Sequence, residues 1–225
     1  MLTLKEFKEA RGVLSGVIRN TSLVYSPAFS KATGNQIYIK PENMQVTGAY
    51  KIRGAYYKIS TLSDEEKARG LVTASAGNHA QGVAYAAQAA GVSATIVMPT
   101  TTPLVKVNNT KDYGAKVVLH GETFDDAAEL AAEVGADGVH VGQQDMSPRQ
   151  ARAILGPDGI VGVSAHTVEE ARAAQAEGAD YLGVGAVFVT GTKENTTPVD
   201  YETLKEICAA VDIPVVAIGG VGRNN

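Results

Sequence analysis

The sequence predicts an α/β protein with a predominantly parallel sheet of about eight βα units, (βα)8-barrel-like or an open doubly wound or half-barrel hybrid. Three observations carry this expectation. Apolar, β-branched runs begin near Leu71, Ala94, Lys116, Gly138, Ile160 and Tyr181, 21 to 23 residues apart, which is the rhythm of a strand, a loop and a crossover helix. Runs such as Ala94-Thr-Ile-Val-Met98 and Lys116-Val-Val-Leu119 are apolar on both faces, as strands covered on both sides require. The segments between them are alanine-rich at helical spacing and stop at Gly91, Gly135, Gly156 and Gly178.

In chain order, Lys5, Glu6, Lys8 and Glu9 make the start a charged helical segment rather than a signal peptide. A first strand is expected near Ile37 and a last one near Pro214, with helices over residues 79–90, 125–134, 148–155, 168–177 and 201–211. Ser147 and Thr167 stand where N-caps belong. Eight strands suffice for a closed barrel, but such a barrel usually takes ~250 residues and a helix after each strand. An open sheet is equally allowed. No low-complexity linker separates the halves, so the boundary falls within the chain's own rhythm: residues 1–128 and 129–225, expected to share one continuous sheet.

Composition narrows the function classes. A net charge of −4 leaves no basic footprint, which excludes nucleic acid as the expected partner. The lone Cys208 cannot form an internal disulfide, which suits a reducing cytoplasm, and its helical pattern predicts core packing. Residues 70–105 carry no Lys, Arg, Asp or Glu, yet Asn78, His79, Gln81, Gln88, Ser93 and Pro99 interrupt them, so no membrane span is expected.

Two motifs carry chemistry in the first half. Lys51 sits at a turn-to-helix junction among Gly48, Ala49, Gly54 and Ala55; small neighbours let a planar ligand approach, and partial desolvation suits a lysine to Schiff-base chemistry. Alone, such a lysine is more often simply solvated. Thr73-Ala-Ser-Ala-Gly-Asn-His-Ala-Gln-Gly82 ends a strand and starts a helix, so its backbone N–H groups face an anion such as a carboxylate. His79 reads as a locally packed helix-start residue. Together with Met98-Pro-Thr-Thr-Thr-Pro-Leu-Val-Lys106 and Tyr113-Gly-Ala-Lys-Val-Val-Leu-His-Gly121, these motifs resemble the pyridoxal-phosphate (PLP) enzymes of the threonine dehydratase (threonine ammonia-lyase) family over about residues 1–126. The resemblance implies Lys51 as the Schiff-base lysine and Asn78 on the cofactor ring oxygen. Ser75, Ala76, Gly77 and Asn78 would hold the amino-acid carboxylate. The family's glycine-rich phosphate loop and its ring-nitrogen serine have no counterpart here, which implies weak PLP binding and no dehydratase turnover.

The second half changes pattern. Polar or glycine residues end four successive strands: Gln143 to Asp145, Ser164 to Thr167, Gly185, and Gly219 with Gly220. Ligands bind at that end of parallel α/β folds. Thr190, Thr192 and Lys193 form a hydroxyl-plus-ammonium cluster suited to phosphate oxygens, and Gly219 and Gly220 expose backbone N–H groups to the same end. Asp145 can hold Mg2+ alongside phosphate oxygens. Each has a plainer reading: Asp145 as a helix cap, the glycines as turns, residues 190–193 as a solvated loop, and His140 and His166 as packed or hydrogen-bonded residues. The ordered set resembles strands four to seven of thiamine phosphate synthase, a (βα)8 barrel, over about residues 131–225. That resemblance implies Asp145 on Mg2+ and Ser164 near a pyrophosphate. Thr190, Thr192, Lys193 and Gly219 would take phosphate groups. Ala186 and Val189 stand where that family commonly has prolines, and its first three strands have no recognisable counterpart.

The two resemblances meet within residues 124–143. They imply a chimera, recombined or engineered, without full native catalysis. Residual phosphate or pyrophosphate binding or transfer, and a PLP lyase using Lys51, are the alternatives. The implied partners are small phosphorylated molecules or an amino acid, plus a second copy joined through an uncovered sheet edge. A clean monomer in light scattering at high concentration would remove that last expectation.

Overall fold

Side-chain capping fixes where the helices start. Thr3 and Glu6 form a reciprocal capping box that opens α1 (Leu4–Leu14). The computed structural model describes residues 3–187 and 199–219, and the chain divides into two units between Ala127 and Ala128.

In the first unit, β1 (Val24–Tyr25) pairs antiparallel with β2 (Tyr38–Ile39) around α2 (Pro27–Thr33). A 3-10 turn at Glu42–Met44 leads to α3 (Lys51–Ser60) and α4 (Asp64–Arg69), the latter opened by a Ser63–Glu66 capping box. Next come β3 (Leu71–Ala74), α5 (Asn78–Ala90), β4 (Ala94–Met98), α6 (Leu104–Asp112) and β5 (Lys116–Leu119). The last three strands form a parallel sheet ordered β3-β4-β5. Its core sets the buried Ile96 and Met98 against the alanine-rich face of α5, including Ala80, Ala84 and Ala87. Arg53 of α3 forks onto Glu42 at 2.8 and 2.9 Å, and Thr21 Oγ1 donates to the same carboxylate at 2.5 Å. Burial pushes the Glu42 pKa up, but Arg53 and Thr21 more than offset this and hold it below the ordinary value.

The helix α7 (Phe124–Glu133) runs across the division, with Ala127, Ala128 and Ala131 buried. The second unit follows: β6 (Gly138–Val141), α8 (Pro148–Leu155), β7 (Ile160–Ala165), α9 (Val168–Ala176), β8 (Tyr181–Val184), α10 (Tyr201–Ala210) and β9 (Val215–Ala217). All four strands are parallel, in sequence order. Ser147 and Thr167 cap α8 and α9 by accepting from Gln150 N and Glu170 N. At the amino ends of β7 and β8, Arg152 donates to Gly178 O at 2.9 Å, to Asp180 Oδ2 at 2.6 Å and to Gly159 O. Asp180 Oδ2 also accepts from Val161 N at 2.7 Å.

The α/β class with parallel sheets is as expected, and three details differ. The described strands form three hydrogen-bonded sheets, and no closed barrel exists among the described residues. A barrel needs every strand to find two neighbours, whereas β5 and β6 each have one, and β5 carries exposed Lys116 and Leu119. The strands of the second unit are one-sided. Val141, Val161, Val163, Leu182 and Val184 pack into the helix-facing core, while the alternate positions carry His140, Gly162, Ser164, Tyr181 and Gly183, with Ile160 and Val216 exposed. Finally, Cys208 is exposed on α10, and it is its neighbour Ile207 that turns into the core. Among the described residues no helix is long and apolar enough to cross a membrane.

Candidate functional site

Lys51 is the first residue of α3, half-buried, with its Nζ 5.1 Å from the Tyr50 ring centroid. Its backbone lies close to α5 because residue 82 is glycine. A Cβ there would sit 3.2 Å from Lys51 C and 3.3 Å from Ile52 N. Gly82 is therefore a close-approach glycine that seats the lysine against α5.

The turn before α5 behaves as its sequence implies. Ser75 N donates to Val97 O at 3.0 Å, which prolongs the β3–β4 pairing by one residue. Ser75 Oγ then accepts from Gly77 N at 3.3 Å and Ala80 N at 3.2 Å. Asn78 and His79 carry the remaining early amides of the helix's first turn. Ala76 and Gly77 complete the turn, half-buried.

His79 keeps part of its surface exposed. Burial of the ring, and secondly the nearby Lys51 ammonium, lower its pKa from 6.5. The unfolded chain then binds the proton more readily than the folded one, so this contribution to stability is complete above pH 6.5 and is lost as pH falls through the lowered folded pKa. Urea midpoints at about pH 7.5 and 5.5 check this: the wild type loses midpoint on acidification, and His79→Gln loses distinctly less. Equal losses would remove the assignment.

One partner escaped the sequence reading. Lys106 Nζ donates to Asn78 Oδ1 at 2.8 Å, and one helical turn on, Asn109 Nδ2 donates to Gln81 Oε1 at 3.3 Å. A signal existed: Lys106 is a cation in the first turn of α6, where the helix dipole disfavours it unless a partner holds it.

For PLP the fit is partial. Lys51 offers an amine, residues 75–78 an amide-rich turn, and Asn78, accepting from Lys106 through Oδ1, a carboxamide whose Nδ2 would be the donor to a ligand oxygen.

In the second unit, Ser164 lies near the carboxyl end of β7. Its Oγ is 2.9 Å from His140 Nε2, and its carbonyl accepts from Gln143 Nε2 at 2.6 Å. His140 Nδ1 is 2.9 Å from the Tyr181 hydroxyl. His166 is held by Glu170, at 2.7 Å from its backbone N and 3.1 Å from Nδ1. Both histidines are thus hydrogen-bonded, the plainer of their readings. Asp145 Oδ2 accepts from Gly142 N at 2.7 Å and so closes its own turn. No group of three metal-ligating side chains occurs among the described residues; Mg2+ at Asp145 would rest on one carboxylate and on phosphate oxygens. Gly219 has φ of 87° and follows β9, where a Cβ would meet Ala186 at 2.7 Å. Thr190, Thr192, Lys193 and Gly220 lie outside the described residues.

Comparison with known proteins finds two likenesses whose matched segments overlap. The family model for thiamine monophosphate synthase matches residues 102–225. An L-threonine ammonia-lyase of Thermotoga maritima is 54% identical over 134 residues, covering 60% of this chain and 33% of that protein. A catabolic L-threonine dehydratase of Staphylococcus aureus is 44% identical over 168 residues, covering 72% of this chain and 46% of that protein. The chain thus spans between a third and a half of the length of these two relatives. Among solved structures, threonine deaminase isoform 2 from Solanum lycopersicum aligns with a TM-score of 0.53 at 25% identity, over 97% of this chain and 71% of that one.

Proposed function

The chain belongs to the thiamine monophosphate synthase family and has a threonine-dehydratase-like N-terminal part, and from this we propose a recombined or engineered chimera that binds small anions without completing either parental reaction. The observation that carries this reading is α7. A single helix, Phe124–Glu133, crosses the division at Ala127 and Ala128. A join inside equivalent helices preserves both the strand–helix rhythm and the apolar pattern on either side.

Each unit keeps one recognition set. In the first, Lys51 offers an amine, and the first turn of α5 offers amides to a carboxylate. Pyridoxal phosphate, when bound, supplies an electron sink for carbanion chemistry. The chain's own part is limited to seating it: Gly82 lets Lys51 lie against α5, and Ser75 holds the turn in shape. Asn78 accepts from Lys106 through Oδ1, which orients its Nδ2 as the donor that would serve a ligand oxygen. In the second unit, Ser164 and the loop after β6 would take phosphate or pyrophosphate ligands, with Asp145 the residue to hold Mg2+. The setting is a reducing cytoplasm.

The test is to incubate the chain with pyridoxal phosphate, reduce with borohydride, and locate the label by peptide mass. Selective modification of Lys51, lost in Lys51→Ala, together with no turnover of L-threonine, is the expected result. Robust threonine turnover would overturn the non-catalytic reading. Label spread evenly over the lysines would overturn the retained geometry.

A further inference from the structure

Three strands of the second unit present a hydrogen-bonded chain on the face away from the helix-packed core. His140 of β6 stands opposite Gly162 of β7, and Gly162 stands opposite Tyr181 of β8. Because Gly162 has no side chain, the imidazole lies across β7 and reaches both neighbours. Its Nδ1 is 2.9 Å from the Tyr181 hydroxyl and its Nε2 2.9 Å from Ser164 Oγ. The rings sit 5.4 Å apart at 41°. Ser164 is itself opposite Gly183, where a Cβ would come within 3.0 Å of His140 Cε1. Two glycines therefore make a slot that this ring fills.

The order of the protons follows from acidity. A phenol is a stronger acid, and a stronger donor, than an alkyl hydroxyl, so the Tyr181 O–H donates to Nδ1. Burial pushes the Tyr181 pKa up, which keeps that proton on the phenol. The imidazole proton is then on Nε2 and is donated to Ser164 Oγ. The Ser164 hydroxyl, accepting from the ring, is left to donate its own proton elsewhere, near the carboxyl end of a parallel strand where ligands bind.

We infer that Tyr181, His140 and Ser164 form a directional hydrogen-bond chain that presents the Ser164 hydroxyl proton to an oxyanion of the phosphate or pyrophosphate class. His140 and Tyr181 are positioning residues that act through Ser164. The inference rests on the phosphate-binding reading of the second unit, and its test separates the two.

Two measurements on the full chain suffice. Nitrogen-15 NMR of the neutral imidazoles, without ligand, identifies His140 by the signals lost in His140→Phe, a variant that keeps a ring in the slot. The proton is expected on Nε2, with Nδ1 shifted as a hydrogen-bond acceptor in the wild type and less so in Tyr181→Phe. Calorimetry with inorganic pyrophosphate then forms a double-mutant cycle. Ser164→Ala and His140→Phe each weaken binding about tenfold, the loss of one bond to a charged group, and the double variant is no weaker than Ser164→Ala alone. A proton on Nδ1, or losses that multiply, overturns the directional chain even if pyrophosphate binds. No heat from the wild type overturns the phosphate reading, while the NMR result still decides the direction of the chain.

Discussion

Replacing Ile96 by alanine is expected to cost about 3–5 kcal/mol, the upper part of the range for a large aliphatic residue cut back in a core. Ile96 is 0% exposed on the central strand β4, with Thr73 opposite on β3 and Val117 on β5. The wall it packs against is α5, whose buried positions are mostly alanine. Alanine has no rotamers with which to refill a hole, and a strand paired on both sides cannot shift inward without breaking its ladder. The cavity therefore persists, and its cost adds to the lost transfer energy. Urea denaturation should show a lower midpoint with an unchanged slope. A loss below about 1 kcal/mol would mean that the first unit relaxes as a loosely packed body does. Leu104→Ala is the matching control, at a side chain 75% exposed, where a change within about 0.5 kcal/mol is expected.

Gly162→Ala is expected to cost about 2–3 kcal/mol in the second unit, with overpacking the larger component and the two ring hydrogen bonds about 1 kcal/mol each at most. A Cβ at this position would lie 2.2 Å from Tyr181 Cζ, 2.4 Å from its hydroxyl oxygen and 2.5 Å from His140 Nδ1. Both rings must move, and when they do the Tyr181–His140–Ser164 chain is broken. Gly183→Ala is milder, because its nearest neighbour is His140 Cε1 at 3.0 Å. The order of the two urea midpoints is the measurement. Equal midpoints would show that the rings swing aside freely and that Gly162 is not shaped to hold them.

Much of this architecture was legible because strands and helices have fixed periods. The 21- to 23-residue rhythm located six strands, and Ser147, Thr167, Gly91 and Gly178 marked helix ends that the structure reproduces. What was not legible follows equally from physics. β1 is two residues long, too short to display alternation, whereas the equally short β2 falls beside the strand expected near Ile37. Which strand pairs with which depends on edges meeting in space, so the sequence rhythm alone does not give the strand order within either unit. The polar face of the second sheet was written as alternation in Tyr181-Leu-Gly-Val184 and Ile160-Val-Gly-Val-Ser-Ala165. An average over both faces read it as uniformly apolar. Among the site residues, Lys51 and the turn at 75–78 were found through their small neighbours. Lys106 and Tyr181 were not, because each acquires its role from a partner 28 and 41 residues away.

The fork made by Arg152 has a consequence for how the second unit can change. It ties Gly159, Gly178 and Asp180 at one rim of the sheet, whereas Ser164 and Gly219 lie toward the other. Cohesion and the recognition proposed for Ser164 are thereby kept on opposite rims. A loop at the recognition rim can be exchanged for one with different chemistry while the guanidinium clasp goes on holding the strands in register. In a chimera of the kind proposed above, that separation would let a fragment accept new surroundings without first relearning how to fold.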